Sequence, residues 1–429
     1  MAQQDKVVFL LTFFAMIIAT ALLICNRVKP LVLKTQPNNK RYESPFEIRA
    51  LIEAKELPDW GPNRLGELEA KSFPNEHLPR MFGFENAFTT VDKEHAHRFV
   101  RKSKDLINIS ANDWDTIRLV SADVLRRWKE EAQKVREDYD FRIDIQPLVQ
   151  TVTLCAVLKT FFLMDNDEWL RSVPLEAFTR LAQSINETWM MPKSGNPIVD
   201  FKDNGALQDA LNEVLPLANI LDKRENPLRF ILPGFETMWR VVLRGFIEVA
   251  FKTGKKHKNW REALVEYSRN TTTKDFNKSY TPDGVSPSHL VKETLRLYPP
   301  TKQIYREWKN ADSAKSTTIA ADIQACHHST DIWGGGAREF NPLRWQEVTK
   351  AQEESFLAFG SKPFECPAKP TFAPRFVGLL IGILLQEFSK DCKLMSETGE
   401  MEFGPELLSN DRSGWKDVYL LVPHRLSGM

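Results

Sequence analysis

Apolar side chains recur at helical spacing along much of the chain. Residues 113–138 combine this spacing with many charges, whereas residues 145–163 have a strongly apolar face. A shorter segment begins at Ser286–Pro287, which supplies an N-cap and a proline at the first helical position, and it stops before Pro299. The pattern predicts a mainly α protein with helices over residues 113–138, 145–163, 228–252, 286–298 and 374–388.

The N-terminal region has a different character. Residues 7–25 carry no charge, and the run is long enough to cross a bilayer as a helix. Basic residues are more frequent after this run than before it, so the positive-inside rule places the rest of the chain in the cytoplasm. We therefore predict a lumenal segment over 1–6, a transmembrane anchor over 7–25, a linker over 26–45 and one folded domain over 46–429. A cleaved signal peptide is the competing interpretation.

Composition narrows the possible partners. The net charge is +1, which gives no electrostatic reason to expect a nucleic-acid partner. The five cysteines, at positions 25, 155, 326, 366 and 392, form no CxxC pair and no regular framework. Neither a structural zinc site nor a disulfide scaffold is indicated, so each cysteine must be considered singly.

Cys366 has the most distinctive surroundings. It lies in the loop FGSKPFECPAKP, shortly before the predicted buried helix over 374–388. Amide dipoles at a helix N-terminus favour a thiolate, and Phe359 and Phe364 are placed to cover a planar apolar group. A buried structural cysteine is the equally acceptable alternative.

Other pairs of residues are each ambiguous alone. Glu293 and Arg296 share a helix face, and Arg344, in the later segment REFNPLRW, is placed to join them in a network. Glu236 and Thr237 follow a Pro-Gly step that interrupts an apolar helix, where an acid and a hydroxyl suit a proton relay. A kinked helix with a solvent-facing Glu and a Thr bonded to its own backbone explains that pattern equally well.

Trp114 and Arg118 lie four residues apart, hence on one helical face. An indole N–H and a guanidinium together suit a carboxylate ligand. A surface arginine beside a half-buried tryptophan is the simpler interpretation of this pair taken alone.

The order of these motifs resembles the cytochrome P450 family over nearly the whole chain. The matching segments are Trp114-x-x-x-Arg118, Gly234-x-Glu236-Thr237, Glu293-x-x-Arg296, Phe340-x-Pro342-x-Arg344-Trp345 and Phe359 to Cys366. The segments ETLRLYPPTKQIYR and IAADIQACHHSTDIWGGGAREFNPLRW are similar to those of filamentous-fungal members. The resemblance implies a mainly α fold with small β-sheets, the cytochrome P450 fold, behind one N-terminal transmembrane helix.

The resemblance also implies residue roles around a b-type haem, iron protoporphyrin IX. Cys366 is then the axial ligand of the iron. Glu293, Arg296 and Arg344 form the structural network, and Glu236 and Thr237 supply protons during dioxygen activation. The cofactor-binding residues that it implies besides Cys366 are Trp114, Arg118, Arg306 and Phe359.

The implied activity is a monooxygenase of the endoplasmic reticulum membrane that inserts one oxygen atom into an apolar small molecule, in fungal secondary metabolism. Electrons are expected from NADPH through a separate NADPH–cytochrome P450 reductase, which docks near Lys362, Lys369 and Arg375. Two alternatives remain open at this point. One is a reductase-independent haem-thiolate isomerase or dehydratase, and the other is a catalytically inactive membrane-tethered scaffold of the same fold.

The cysteine loop departs from the family pattern at three positions. Family members usually carry Gly four residues before the cysteine, Arg two before it and Gly two after it. Lys362, Phe364 and Ala368 occupy these positions here. The replaced arginine removes a common haem-carboxylate partner, and Lys362 is expected to strain a bend that favours glycine.

Overall fold

Helices dominate the computed structural model, which describes residues 40–134, 140–162, 167–194, 196–311, 315–388 and 391–423. The predicted membrane anchor over 7–25 lies outside the described residues. The α-helices of the described chain are α1 Pro45–Glu53, α2 Glu67–Ser72, α3 His77–Phe82, α4 Lys93–Ile107, α5 Ala111–Lys134, α6 Ile145–Phe161, α7 Asp167–Ser172, α8 Leu175–Met190, α9 Gly205–Val214, α10 Leu228–Ala250, α11 Lys258–Arg269, α12 Thr273–Asn277, α13 Pro287–Leu297, α14 Ile323–His328, α15 Thr330–Trp333, α16 Lys350–Ser355 and α17 Phe372–Glu387.

The five predicted helices correspond to α5, α6, α10, α13 and α17, with small differences at their ends. Helices α5, α6, α10 and α17 pack against one another, and α11 lies along α17. Their apolar faces form the main core cluster of the protein. Among the described helices, none combines the length and the apolar character that a bilayer span requires.

Short strands of the described residues form three small sheets. The strands are β1 Arg41–Tyr42, β2 Glu56–Leu57, β3 Gly61–Pro62, β4 Phe141–Asp144, β5 Gln303–Trp308, β6 Thr317–Asp322, β7 Lys393–Ser396, β8 Gly399–Glu400 and β9 Tyr419–Val422. The first sheet has the order β1–β6–β5, with β1 parallel and β5 antiparallel to β6. Strands β2 and β3 form an antiparallel pair, and the third sheet has the antiparallel order β4–β9–β7–β8.

The first sheet carries a second core cluster, built on residues such as Tyr42, Leu51, Trp308 and Ile319. Strand β1 belongs to the segment 26–45 that the sequence predicts as a linker, yet it pairs with β6. The folded domain therefore includes residues ahead of the predicted boundary at residue 46.

The Pro-Gly step at 233–234 lies inside α10 and does not end the helix. Proline has no N–H, so the carbonyl of Arg229, one turn earlier, loses its helical donor. The buried Asn86 side chain replaces that donor, with its Nδ2 3.2 Å from the Arg229 oxygen. The helix continues because this bond satisfies a carbonyl that would otherwise be buried without a partner.

Close packing of α17 on α11 generates the first prediction. A Cβ added at Gly382 would lie 2.3 Å from the backbone oxygen of Leu264 and 2.7 Å from the Cβ of Ser268. We expect Gly382→Ala to lower the free energy of unfolding by about 1–3 kcal/mol, because the two helix backbones must separate. Urea denaturation measures the change.

Gly335→Ala is the matched control, because a Cβ at Gly335 has no neighbour within 4 Å. We expect this control to alter the unfolding free energy by less than about 0.5 kcal/mol. Equal stability of the Gly382→Ala and wild-type proteins would contradict the close approach of α11 and α17.

Candidate functional site

The loop that carries Cys366 is a hairpin between the two core clusters. The Cys366 N–H donates to the Phe359 carbonyl at 3.0 Å, and the chain reverses at Gly360, whose φ is +70°. Phe359 packs on the main core cluster, whereas Phe364 packs on the second cluster. The hairpin thus fixes the cysteine where the two clusters meet.

The predicted strain at Lys362 is absent. Among the described residues other than glycine, only Ala54 has a positive φ. Gly360 makes the bend instead, two residues before Lys362, and the peptide bond between Lys362 and Pro363 is cis. A lysine at this position therefore needs no glycine-like conformation.

Cys366 is a free, half-buried thiol, whereas Cys155, Cys326 and Cys392 are buried. Burial raises the pKa of the Cys366 thiol above its usual value, although the Ala368 N–H partly offsets this effect. The net direction is therefore opposite to the one that a helix dipole alone would give. Helix α17 begins at Phe372, six residues after Cys366.

The Glu293 carboxylate lies at the centre of a buried network. Arg296 donates to both of its oxygens, from Nε at 3.0 Å and from Nη2 at 2.8 Å. Nε of Arg344 and the backbone N–H of Asn341 each donate to Oε1 at 3.0 Å, and Nε1 of Trp345 donates to Oε2 at 2.9 Å. Glu293 and Arg296 are fully buried, unlike an ion pair on an exposed helix surface. Removal of either side chain would therefore leave the other charge buried without a counter-charge.

Hydrogen bonds continue from this network to the segment before the cysteine loop. Arg296 donates to the His327 carbonyl at 2.7 Å, and the His327 ring accepts at Nε2 from the Leu357 N–H at 2.9 Å. Burial lowers the pKa of His327 to about 3, so the ring is neutral. Its Nδ1, 3.0 Å from the Arg296 carbonyl, then carries the proton and donates it. The entry to the hairpin is fixed by buried hydrogen bonds from Glu293 onwards.

Glu236 and Thr237 lie on α10 and have separate partners. The Thr237 hydroxyl donates to the Pro233 carbonyl at 2.6 Å, within its own helix. Glu236 is buried rather than facing solvent, and its Oε2 pairs with Arg412. Its other oxygen, Oε1, has no hydrogen-bond partner among the described residues, and the Arg412 guanidinium lies over the Trp189 ring.

Trp114 and Arg118 do not converge on one partner. The Trp114 ring is buried against Phe372, with 5.5 Å between ring centroids, and the Arg375 guanidinium lies 4.3 Å from its centroid. Arg118 instead pairs with Asp115 of its own helix at 3.3 Å. Trp114 therefore contacts the start of α17, close in sequence to Cys366, whereas Arg118 is held at the helix surface.

Arg306 reaches the cysteine loop from β5. Its guanidinium lies 5.3 Å from the centroid of the Phe364 ring, and its Nε and Nη1 donate to the carbonyls of Ile52 and Tyr305. Burial lowers the pKa of Arg306 to about 10, and no carboxylate of the described chain contributes to that pKa.

Two contacts of the site were missed by sequence reasoning. Lys71 of α2 is buried, with Nζ 4.4 Å from the centroid of the Phe364 ring, and Arg412 neutralises Glu236. Both connect segments that are distant along the chain, and no local pattern marks either residue. The sequence gives one indication of Lys71. Phe364 stands where family members usually carry Arg, which leaves room for a cation from another segment.

Comparison with known proteins shows which family this chain is similar to. The sequence model of the cytochrome P450 family matches residues 288–412, which include the Glu293 network, Arg306 and Cys366. Over this segment the chain is similar to the cytochrome P450 family. Cytochrome P450 72A397 of Kalopanax septemlobus is 32% identical to this chain over 148 residues, which are 31% of this chain and 27% of that protein. A cytokinin hydroxylase of Arabidopsis thaliana is 32% identical over 106 residues, 23% of this chain and 20% of that protein.

The chain thus spans about a quarter of the length of these curated relatives. A solved structure extends the likeness beyond the matched segment. A six-coordinated cytochrome P450 of Thermus thermophilus superposes with a TM-score of 0.54, covering 90% of this chain and 92% of that one. At 13% identity the likeness shows the fold alone, and it confirms the predicted mainly α P450 fold with small sheets.

The site residues fit a haem group. Haem held by a thiolate needs a cysteine for the iron, and its two carboxylates need cationic or N–H donors. Cys366 offers a free thiol on a fixed hairpin, and Arg306 offers a buried guanidinium without a described carboxylate partner. Burial favours the protonated thiol, so a metal ion that bound Cys366 would displace its proton.

Glu293 generates the second prediction. We expect Glu293→Gln to lower the free energy of unfolding by about 3–5 kcal/mol, because it leaves Arg296 buried without a carboxylate. Chemical denaturation of the full chain measures the loss.

Glu262→Gln is its control, since the pair of Glu262 with Lys258 is exposed and contributes at most about 1 kcal/mol. A comparable loss in the two variants would refute the central role of Glu293.

Proposed function

We propose that this chain is a haem-thiolate monooxygenase of the cytochrome P450 family, which inserts one oxygen atom of dioxygen into an apolar small molecule. The observation that carries the proposal is the free Cys366 thiol, which lies on a hairpin connected by buried hydrogen bonds to Glu293. A structural cysteine would need no such support, whereas an axial ligand must be held at a fixed position and direction.

The chain offers a defined set of residues to hold the haem. Cys366 supplies the iron ligand, and Phe359 packs beside it. Arg306 supplies a guanidinium for a haem carboxylate, and the position of Trp114 at the start of α17 supports a similar role for its indole N–H. Arg118 joins them only if its side chain leaves Asp115. When bound, haem with a thiolate ligand supplies the electron-rich iron that activates dioxygen.

Glu236 and Thr237 are proposed to handle protons. The Thr237 hydroxyl donates to the Pro233 carbonyl, so its oxygen remains free to accept a hydrogen bond from a water or a reacting group. Oε1 of Glu236 has no partner in the part of the chain that the structure describes, while Arg412 neutralises the carboxylate through Oε2. The pair therefore offers an acceptor on the hydroxyl and an open carboxylate oxygen for proton transfer.

The cellular location of the protein and the source of its electrons are part of the same proposal. An anchor over 7–25 would hold the protein in the endoplasmic reticulum membrane, with NADPH–cytochrome P450 reductase as electron donor. Of the basic residues near Cys366, Lys362 is exposed and offers a docking contact, whereas Lys369 pairs with Glu365 and Arg375 donates to the Thr271 carbonyl. The assignment to fungal secondary metabolism rests on the sequence resemblance.

The third prediction concerns haem content. We expect the purified full chain to hold one haem per protein molecule, and we expect Cys366→Ala to lose it during gel filtration because the iron loses its anionic ligand. Pyridine-haemochrome absorbance measures the ratio. Cys155→Ala is the control, since Cys155 is buried in α6 and should leave haem content unchanged. Retention of haem by Cys366→Ala would exclude Cys366 as the ligand.

The fourth prediction separates a monooxygenase from a reductase-independent isomerase or dehydratase. With NADPH and reductase, we expect Thr237→Ala to reduce oxygenated product per NADPH consumed by about tenfold, whereas Thr237→Ser should retain most coupling because it keeps the hydroxyl. Product mass spectrometry with isotopically labelled dioxygen measures the outcome. Product that forms without NADPH and carries no label would favour the isomerase or dehydratase alternative.

A further inference from the structure

Two buried cations face the cysteine loop without a carboxylate between them. Lys71 and Arg306 are 5% and 4% exposed, and both lie over the ring of Phe364. Burial and the nearby Arg306 lower the pKa of Lys71 to about 8, and no carboxylate of the described chain offsets them. Buried charges are normally paired, so an unpaired set of two predicts an anionic ligand.

The position of Lys71 is fixed by the rest of the fold. Helix α2 packs on β5, the strand that carries Arg306. The preceding loop is tied to the end of the same strand, because Asn63 donates to the Glu307 carbonyl at 3.0 Å and accepts from the Lys309 N–H at 3.1 Å. Lys71 therefore approaches the Phe364 ring as part of a fixed arrangement.

Phe364 connects this cation pair to the haem site, because it lies two residues before Cys366 in the hairpin. We propose that Lys71, together with Arg306, binds a carboxylate of the haem and so replaces the basic side chain that is absent at position 364. The assignment rests on the proposed haem-thiolate function. An ammonium and a guanidinium both form charge-assisted hydrogen bonds to a carboxylate, and the Phe364 ring shields the contact from water.

The test compares haem retention in the full chain between wild type, Lys71→Met, Lys71→Arg and Lys278→Met. Transfer of haem to excess apomyoglobin gives the rate of haem loss. We expect Lys71→Met to lose haem about tenfold faster, as for one charge-assisted hydrogen bond, and Lys71→Arg to restore retention. Lys278→Met is the matched control, because the Lys278 ammonium also lies over an aromatic ring, that of Tyr280, but on an exposed side chain.

Haem dimethyl ester supplies the decisive comparison, because its carboxylates are blocked. With the ester, we expect wild type and Lys71→Met to lose the group at the same rate. Thermal unfolding of the haem-free proteins gives a second readout. Lys71→Met should melt at or above the wild-type temperature, because it removes a buried charge that has no partner.

Three results would overturn the inference. The first is an equal rate of haem loss from wild type and Lys71→Met, and the second is a Lys71→Met effect that persists with the ester. The third is a lower melting temperature of haem-free Lys71→Met, which would indicate a purely structural lysine. Failure of the wild type itself to retain haem would instead reject the proposed function, and the assignment of Lys71 with it.

Discussion

The buried carboxylate of Glu293 is the interaction on which the cysteine loop depends. Its two oxygens accept hydrogen bonds from two guanidinium groups, an indole and a backbone amide. Removing the carboxylate would leave Arg296 buried and uncompensated, which is far more costly than losing an exposed ion pair. Through Arg296 and His327, the same network reaches the Leu357 amide, just ahead of the hairpin. A helix pair that looks unremarkable in the sequence thus determines where Cys366 lies.

The charges and the burial around Cys366 favour a bound anion that contains a metal ion over an isolated Cys366 thiolate. Burial keeps the thiol protonated, whereas Lys71 and Arg306 are buried as cations on the neighbouring Phe364. A group that brings both a metal ion and carboxylates satisfies the two features together. In the proposed arrangement, Lys71 of another segment supplies the charge that Phe364 lacks, and the hairpin itself stays intact.

Local patterns predict the long helices because a buried face repeats every turn, and α17 extends over Phe372–Glu387 where residues 374–388 were predicted. The same patterns identify Glu293, Arg296 and Cys366 as candidates, but only the ordered set of motifs distinguishes them from ordinary core residues. Periodicity defines the helix face on which a side chain lies, but it does not identify its partner. Trp114 and Arg118 share a face and still have different partners. Lys71 and Arg412 could not be predicted, because their contacts join segments far apart in the chain.

Haem ligation by the Cys366 thiolate is tested most directly by the reduced carbon-monoxide difference spectrum of the purified full chain. Thiolate ligation predicts the red-shifted Soret band that distinguishes thiolate from histidine or water as the axial ligand, and predicts its absence in Cys366→Ala. A wild-type spectrum without that band, whether haem is absent or bound through another residue, would contradict the account.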